Sequence, residues 1–539
     1  MSISSSGLNG LNLNASVIMR PMGNLTLLGS IGTDLIIPEN LSDTATILKT
    51  DCDVKINEII SSNNAVTARG SASYTILLLG DDGSLGSVKT SEEFELKDFI
   101  EDANESTVLV YGGSNAECSS RLINPRKVNI SSDISVSVSA LREENVNPEI
   151  KGTETIEDEI SLKRRMGNIT CIDTYSLNEK DIPVSSDVSI DGNLPPMSQI
   201  LYSNVSIRPT ELTTAGNNVT VKSKAVFSAI YKSEEGNIFA IEKPILLEKT
   251  IEADNAESFE WFADVTADDV TAEIAIDGYG EAKLIELDFA YDIILNGVRN
   301  VTVDTVTDAY STEYDCKTDV LHSECVTYNR AYNSSLSVNA SADRGEISAE
   351  SVRAVMLGGV NLRDVQSQYS DEKRRLVVEA TATVSAVCEN NIVSDEDERF
   401  SSVSFEYPFK CELDVGEKHE NTSYNVTLTV TDTRFRCDQN KIYCDFENEI
   451  RAVSVETVPH CCLTSIVIDK CTPISASYAP ITLCYPSGGE TLWDIAKYYK
   501  VSLEGIAASN NLDGDDISGK KVLLIPSYRR TKPIYSASN

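Results

Sequence analysis

The sequence predicts a mainly β protein, with three tandem β-sandwich-like repeat domains followed by a small strand–helix–helix–strand module. Three observations predict it. Long segments rich in Val, Ile and Thr alternate polar and apolar residues with a period of two, as half-buried strands do. These segments recur three times along the chain, and from Tyr485 onward the period changes to that of short helices.

The strands come in repeated order. Residues 47–59 overlay residues 200–212 without a gap, and each segment runs into an Asn pair, Asn63 and Asn64 in one and Asn217 and Asn218 in the other. Both then continue as alternating runs, 65–79 and 219–231, and a third version occupies 355–365 and 375–387. Two such runs joined by turn residues read as a hairpin. Each hairpin leads into a charged turn, Gly80 to Gly83, Lys232 to Gly236 and Glu389 to Asn391, and the copies close alike at 128–140, 282–294 and 441–453. The offset is 153 residues from Ile47 to Ile200 and 154 from Val128 to Ala282, so whole domains are duplicated. A period of that size exceeds those of small solenoid repeats and reads as independent sandwich-like domains. Polar stretches at 142–159 and 304–317 supply the boundaries, the first with the composition of a linker or solvated edge. The expected division is 1–145, 146–303 and 304–460 for the repeats, 461–484 for a linker, 485–530 for the terminal module and 531–539 for a tail.

At 539 residues the chain is too long for one ordinary core, and 41% hydrophobic content excludes wholesale disorder. The formal charge of −37 would repel phosphate backbones and anionic lipid, so neither nucleic acid nor a membrane surface is an expected partner. No apolar run approaches the roughly 18 residues that span a bilayer, so no transmembrane segment is expected. The first residues lack the charged start and unbroken apolar stretch of a secretion signal, which points to a protein retained where it is made. Thirteen Cys, ten of them from Cys316 on, fit reduced thiols in a cytosol better than a secreted disulfide scaffold. Oxidation follows only if the protein ends in an extracellular shell.

In the terminal module Thr491 is placed as a helix N-cap with Asp494 three residues on, and Leu492, Ile495 and Ala496 form an apolar stripe. Ser502 caps a second helix whose inward residues are Leu503, Ile506 and Ala507 and whose stop is the pair Asn510 and Asn511. Residues 522–525 form a buried strand ended by Pro526, paired with the segment before Tyr485. Trp493 is the expected central filler of so small a core.

The run from Gly489 through Ala496, the Tyr498, Tyr499, Lys500, Val501, Ser502 stretch, the Asn510, Asn511, Leu512 stop and the Ile525, Pro526 ending together resemble LysM. Two departures stand out: Lys500 replaces the usual Gly after the first helix, and the stretch 519–526 is one residue longer than the common ending. The resemblance implies a groove for N-acetylglucosamine polymers, with Gly488, Gly489, Glu490, Thr491 and Leu492 on one wall and Asn510, Asn511, Leu512 and Asp513 on the other. The repeats, over most of residues 20 to 460 and taken with this C-terminus, resemble the SPOCS domain family of clostridia-type spore formers. That resemblance implies a non-enzymatic structural adaptor in spore coat assembly, working in the mother-cell cytoplasm at the forespore surface. Its implied partner is a spore coat morphogenetic ATPase or another coat protein, docked through the LysM module, and the competing reading is recognition of peptidoglycan or cortex glycan. Six acidic and six basic side chains balance within 485–530, so the negative charge belongs to the repeats.

Other chemistry is weighed and set aside. Residues 514–520 mimic a phosphate-loop spacing, but Lys521 stands where Ser or Thr is needed and a strand follows instead of a helix. His460, Cys461 and Cys462, with Cys437, Cys444 and Cys471, lack a Cys-x-x-Cys pair, and adjacent strand residues point apart. With three His and no nucleophile elbow, no catalytic residue, metal site or cofactor is expected.

Overall fold

A computed structural model describes residues 17–153, 161–349, 351–391, 398–474 and 481–526. The expected tail at 531–539 and part of the first boundary stretch lie outside the described residues. Three six-stranded units follow one another. The first holds β1 (Val17–Ile36), β2 (Thr44–Ser62), β3 (Ala65–Gly80), β4 (Leu85–Phe99), β5 (Val108–Asn124) and β6 (Lys127–Asn145). After a short β7 (Glu149–Lys151), the second holds β8 (Leu162–Ser189), β9 (Met197–Ala215), β10 (Asn218–Ser233), β11 (Ile238–Glu252), β12 (Glu260–Ala275) and β13 (Leu284–Ser311). The third holds β14 (Tyr314–Asp343), β15 (Val352–Ser370), β16 (Arg375–Asn390), β17 (Phe400–Asp414), β18 (Thr422–Cys437) and β19 (Lys441–Pro473).

Every unit has the same topology. Its second, third and fourth strands form an antiparallel meander, and its first, sixth and fifth form a facing sheet with the sixth in the middle. The repeated hairpins of the sequence are β2–β3, β9–β10 and β15–β16, and the repeated closing segments are the central strands β6, β13 and β19. Alternation makes each sandwich: in the first, Val66, Ala68, Tyr74 and Ile76 of β3 pack with Val128, Ile130, Ile134 and Val136 of β6. In the second, Phe227 and Tyr231 of β10 share a core with Ile285 and Leu287 of β13. Full burial of each such side chain contributes about 1.5–3 kcal/mol. The first hairpin turns on Asn63 and Asn64, at φ 50° and 61°, as a right-twisted two-residue turn requires. In the second hairpin the turn sits one residue earlier than the Asn pair, on Gly216 (φ 60°) and Asn217, because Asn218 already pairs with Ala215.

The units are not independent, because they share cores. Leu77, Ile230 and Val387 hold equivalent places in β3, β10 and β16, and each is 0% exposed, although each points out of its own sandwich. Opposite them all three hairpins carry the same β-bulge, with Leu48, Leu201 and Met356 as the extra residues. A bulge bends its strand and re-aims the side chain, and here Leu48, Leu201 and Met356 join the same inter-unit cluster. On the other layer the first strands meet through equivalent residues: Ile18, Cys171 and Cys325 in one cluster, Met19, Ile172 and Val326 in the next. The three sandwiches are thus arranged about a pseudo-three-fold axis.

Two of the expected boundaries fall inside strands. β13 crosses 303/304, the chain reverses at Thr312 and Glu313, and β14 begins at Tyr314. β19 crosses 460/461, so the expected linker is strand through Pro473. The 304–317 stretch reads as polar because its buried residues, among them Thr305, Val306, Ala309, Tyr310 and Ser311, are interleaved with polar ones on a strand. Extended ends of β8, β13, β14 and β19 form a stem, and β7 adds a parallel strand against Ser465, Ile466 and Val467 of β19. Replacing Leu77 with Ala, which empties no sandwich interior, is expected to cost about 2–5 kcal/mol, read from urea unfolding. A change under about 0.5 kcal/mol would show that the inter-unit core does not hold the units together.

Candidate functional site

The terminal module is built from β20 (Ile481–Cys484), α1 (Leu492–Tyr499), α2 (Leu503–Asn510) and β21 (Leu523–Pro526). The two strands pair antiparallel, with Leu483 opposite Leu524. α1 starts where the sequence places it: Thr491 accepts from the Asp494 N–H, while the Asp494 carboxylate accepts from the Thr491 N–H at 2.9 Å. The Thr491 hydroxyl, donating to the same carboxylate at 2.7 Å, and then the Thr491 N–H hold the Asp494 carboxyl below its ordinary value of 3.8. Ser502 caps α2 by accepting from the Gly505 N–H at 3.0 Å. Both helices stop on left-handed residues, Lys500 (φ 57°) and Asn511 (φ 49°).

The nine candidate groove residues divide. Gly488, Gly489, Glu490 and Thr491 are exposed on the loop before α1, and Asn511 and Asp513 are exposed after α2, with Leu512 half-buried. A Cβ added at Gly488 or Gly489 meets nothing within 4 Å, and Gly489 has φ 94°, so this loop offers open backbone beside a left-handed turn. Leu492 and Asn510 serve the fold instead. Leu492 is 0% exposed in the module core. Asn510 clamps α2 to β21, its amide donating to the Leu524 carbonyl and its oxygen accepting from the Leu524 N–H, both at 2.7 Å. Lys520, set aside as a phosphate ligand, donates to the Asn510 carbonyl.

Sequence reasoning did not place what the module rests on. Its core includes Tyr310, a stem residue from β13. The Tyr310 hydroxyl, its ionisation disfavoured by burial, donates to the Val501 carbonyl at 2.8 Å, and its ring meets Trp493 edge-on with centroids 5.1 Å apart. Trp493 is a core filler as expected, but its indole N–H points outward and donates to Asp308 at 2.8 Å. Lys497, one turn further along α1, pairs with the same carboxylate at 2.6 Å. An exposed pair, Lys163 with Glu504 at 3.7 Å, adds little. One clue to this docking was in the sequence: a Trp in so small a module needs a partner for its N–H. The docked face is that of Trp493, Lys497 and Val501, so the loops at 488–491 and 511–513 stay uncovered.

Elsewhere the rejected cluster behaves as strand alternation demands: Cys461 is exposed with its sulfur 3.1 Å from the His322 ring, and Cys462 is fully buried. Among the described residues, no three His, Cys, Asp or Glu side chains gather as metal ligands.

Two helices against a two-strand sheet, with the loops before α1 and after α2 exposed, make a small strand–helix–helix–strand module. Comparison with known families identifies it: a LysM domain model matches residues 488–526. The chain therefore ends in a LysM domain, a binding module and not a catalytic one, and this supports recognition of peptidoglycan or N-acetylglucosamine polymers. No curated protein and no solved structure matches the chain.

Three outcomes follow. Lys500→Gly relieves a left-handed side chain and is expected to raise module stability by about 1 kcal/mol, seen as a higher thermal midpoint. Asp308→Ala leaves the indole N–H without an acceptor and is expected to cost about 1–3 kcal/mol of docking. Limited proteolysis between body and module would detect it as faster release. Because the folded Asp494 carboxyl lies below its ordinary range, its cap is fully formed above about pH 4 and is lost as pH falls through the folded value. Far-ultraviolet circular dichroism of Asp494→Asn should lack that acid step.

Proposed function

We propose that the chain is a non-catalytic adaptor of a spore envelope, in which the LysM domain engages N-acetylglucosamine-containing polymers and the β units hold that domain in place. The observation that carries this reading is the orientation of the module. Its Trp493 face is consumed by the stem, while the loops bearing Gly488, Gly489, Asn511 and Asp513 remain open to an extended ligand. Glycine backbone and short polar side chains there suit the acetamido groups of such a polymer.

A second reading, docking of a coat ATPase or another coat protein, has its own support. Tyr485 and Tyr498 are 69% and 78% exposed, and Leu483 is 53% exposed. Exposed aromatic surface that a sugar groove does not use is typical of protein interfaces. In both readings the chain works at the forespore surface, on the mother-cell side, with the acidic units serving assembly, as the resemblance of the repeats to SPOCS domains implies.

Titrating the full chain with chitin oligomers and soluble peptidoglycan fragments, beside capture of the purified coat ATPase, separates the two. Saturable sugar binding is expected, and Gly488→Tyr, at a position with open space, should weaken it about tenfold without lowering the thermal midpoint. ATPase capture with no sugar binding up to millimolar concentrations would replace the first reading by the second.

A further inference from the structure

A cavity of about 430 Å³ opens where the three units meet on the layer formed by their first, fifth and sixth strands. This size is within the ~300–1,000 Å³ of small-molecule sites. Each unit contributes apolar wall: Val110 and Leu141 from the first, Phe262 and Val298 from the second, Val453 and Val455 from the third. Exposed Asn425 and Thr427 of β18 stand at its mouth.

Into this apolar space β19 delivers Arg451. Its guanidinium lies 4.2 Å from the centroid of the Phe262 ring. Its Nε is buried without a hydrogen-bond partner, and among the described residues no hydrogen bond or ion pair joins Arg451 to any acceptor. No nearby carboxylate pairs with it among the described residues. Asp264 accepts from the Tyr111 hydroxyl at 2.5 Å, Glu260 accepts from the Tyr328 hydroxyl, and Glu449, two residues back on the same face of β19, is exposed and makes no ion pair with Arg451. Withdrawing the Nε–H from water with nothing to accept from it is costly. A ligand that brings the missing acceptor recovers that cost and fills the apolar volume as well.

We infer that this junction is a binding site for an amphiphilic monocarboxylate, its carboxylate on Arg451 and its hydrocarbon body among the walls given by the three units. A planar guanidinium fork matches a carboxylate bidentately. Asp264 and Glu449 line the same cavity and would repel a doubly charged phosphate more than a single carboxylate. Since the walls come from all three units, an occupant would also bind only the assembled ring and stabilise it.

The test uses the full chain and two probes of equal length, dodecanoate and dodecan-1-ol, followed by calorimetry below their aggregation limits. Dodecanoate is expected to bind saturably, one per chain, at least tenfold tighter than the alcohol, which corresponds to about 1.4 kcal/mol. Arg451→Gln should remove that preference while leaving the alcohol's affinity unchanged. Val453→Trp, which fills the cavity with apolar volume, should abolish binding of both. Equal affinities for the two probes in the unaltered chain, absence of saturable binding, or a preference that survives Arg451→Gln would each overturn the assignment. Comparing the two probes on the unaltered chain decides the matter even where a variant fails to fold.

Discussion

The architecture depends on three side chains that a free-standing sandwich would leave wet. Leu77, Ile230 and Val387 point away from their own sandwich cores, and burying them demands that the three meanders face one another. Once that contact forms, the bulges opposite them bring Leu48, Leu201 and Met356 into the same cluster, and the first strands converge on the other layer through Ile18, Cys171 and Cys325. The duplication is therefore more than a string of copies. An outward apolar position repeated at the same place in each copy is a self-complementary surface, and three copies are enough to close it around an axis.

Much of this was legible in the sequence. The two-residue period, the hairpin pairs and the closing strands sit where the repeats placed them, because alternation on a half-buried sheet is a local property of the chain. The ring was written there too, less visibly: residues 76–79 read Ile, Leu, Leu, Leu, and the alternation lapses where both faces of β3 are buried. Reading independent domains treated that lapse as noise. The first and fifth strands of each unit were not placed from the sequence, and edge position does not account for it, since β2, β9 and β15 are edge strands too. The stem was missed because polar residues alternating with buried ones average to the composition of a linker.

The module shows the same division between local and long-range information. Caps, helix spans and turn residues followed from spacing, and the capping box of Thr491 and Asp494 forms as read. Of the two groove walls, Leu492 and Asn510 hold the fold: Leu492 belongs to the apolar stripe that the helix spacing gave, whereas the bonds of Asn510 to Leu524 cross to another element and have no local pattern. Tyr310 and Asp308 are some 180 residues away in the chain, and no local pattern links them to Trp493.

That docking changes what the LysM domain can do. A module on a flexible tether searches freely, and its contribution to binding depends on linker length. Here a buried Tyr310 hydroxyl, an indole bonded to Asp308 and a shared aromatic contact fix the module's orientation on the stem. A fixed head forgoes search volume but loses less orientational freedom when it engages a ligand that is itself anchored, as a polymer in an envelope is. The β units then carry the module on their own prolonged strands and leave the loops at 488–491 and 511–513 exposed. A fixed head of that kind depends on the three-unit core, because the stem is built from the prolonged strands of the second and third sandwiches with β7 added. Loosening the axis at Leu77 would therefore loosen the head as well, although the two are never in contact.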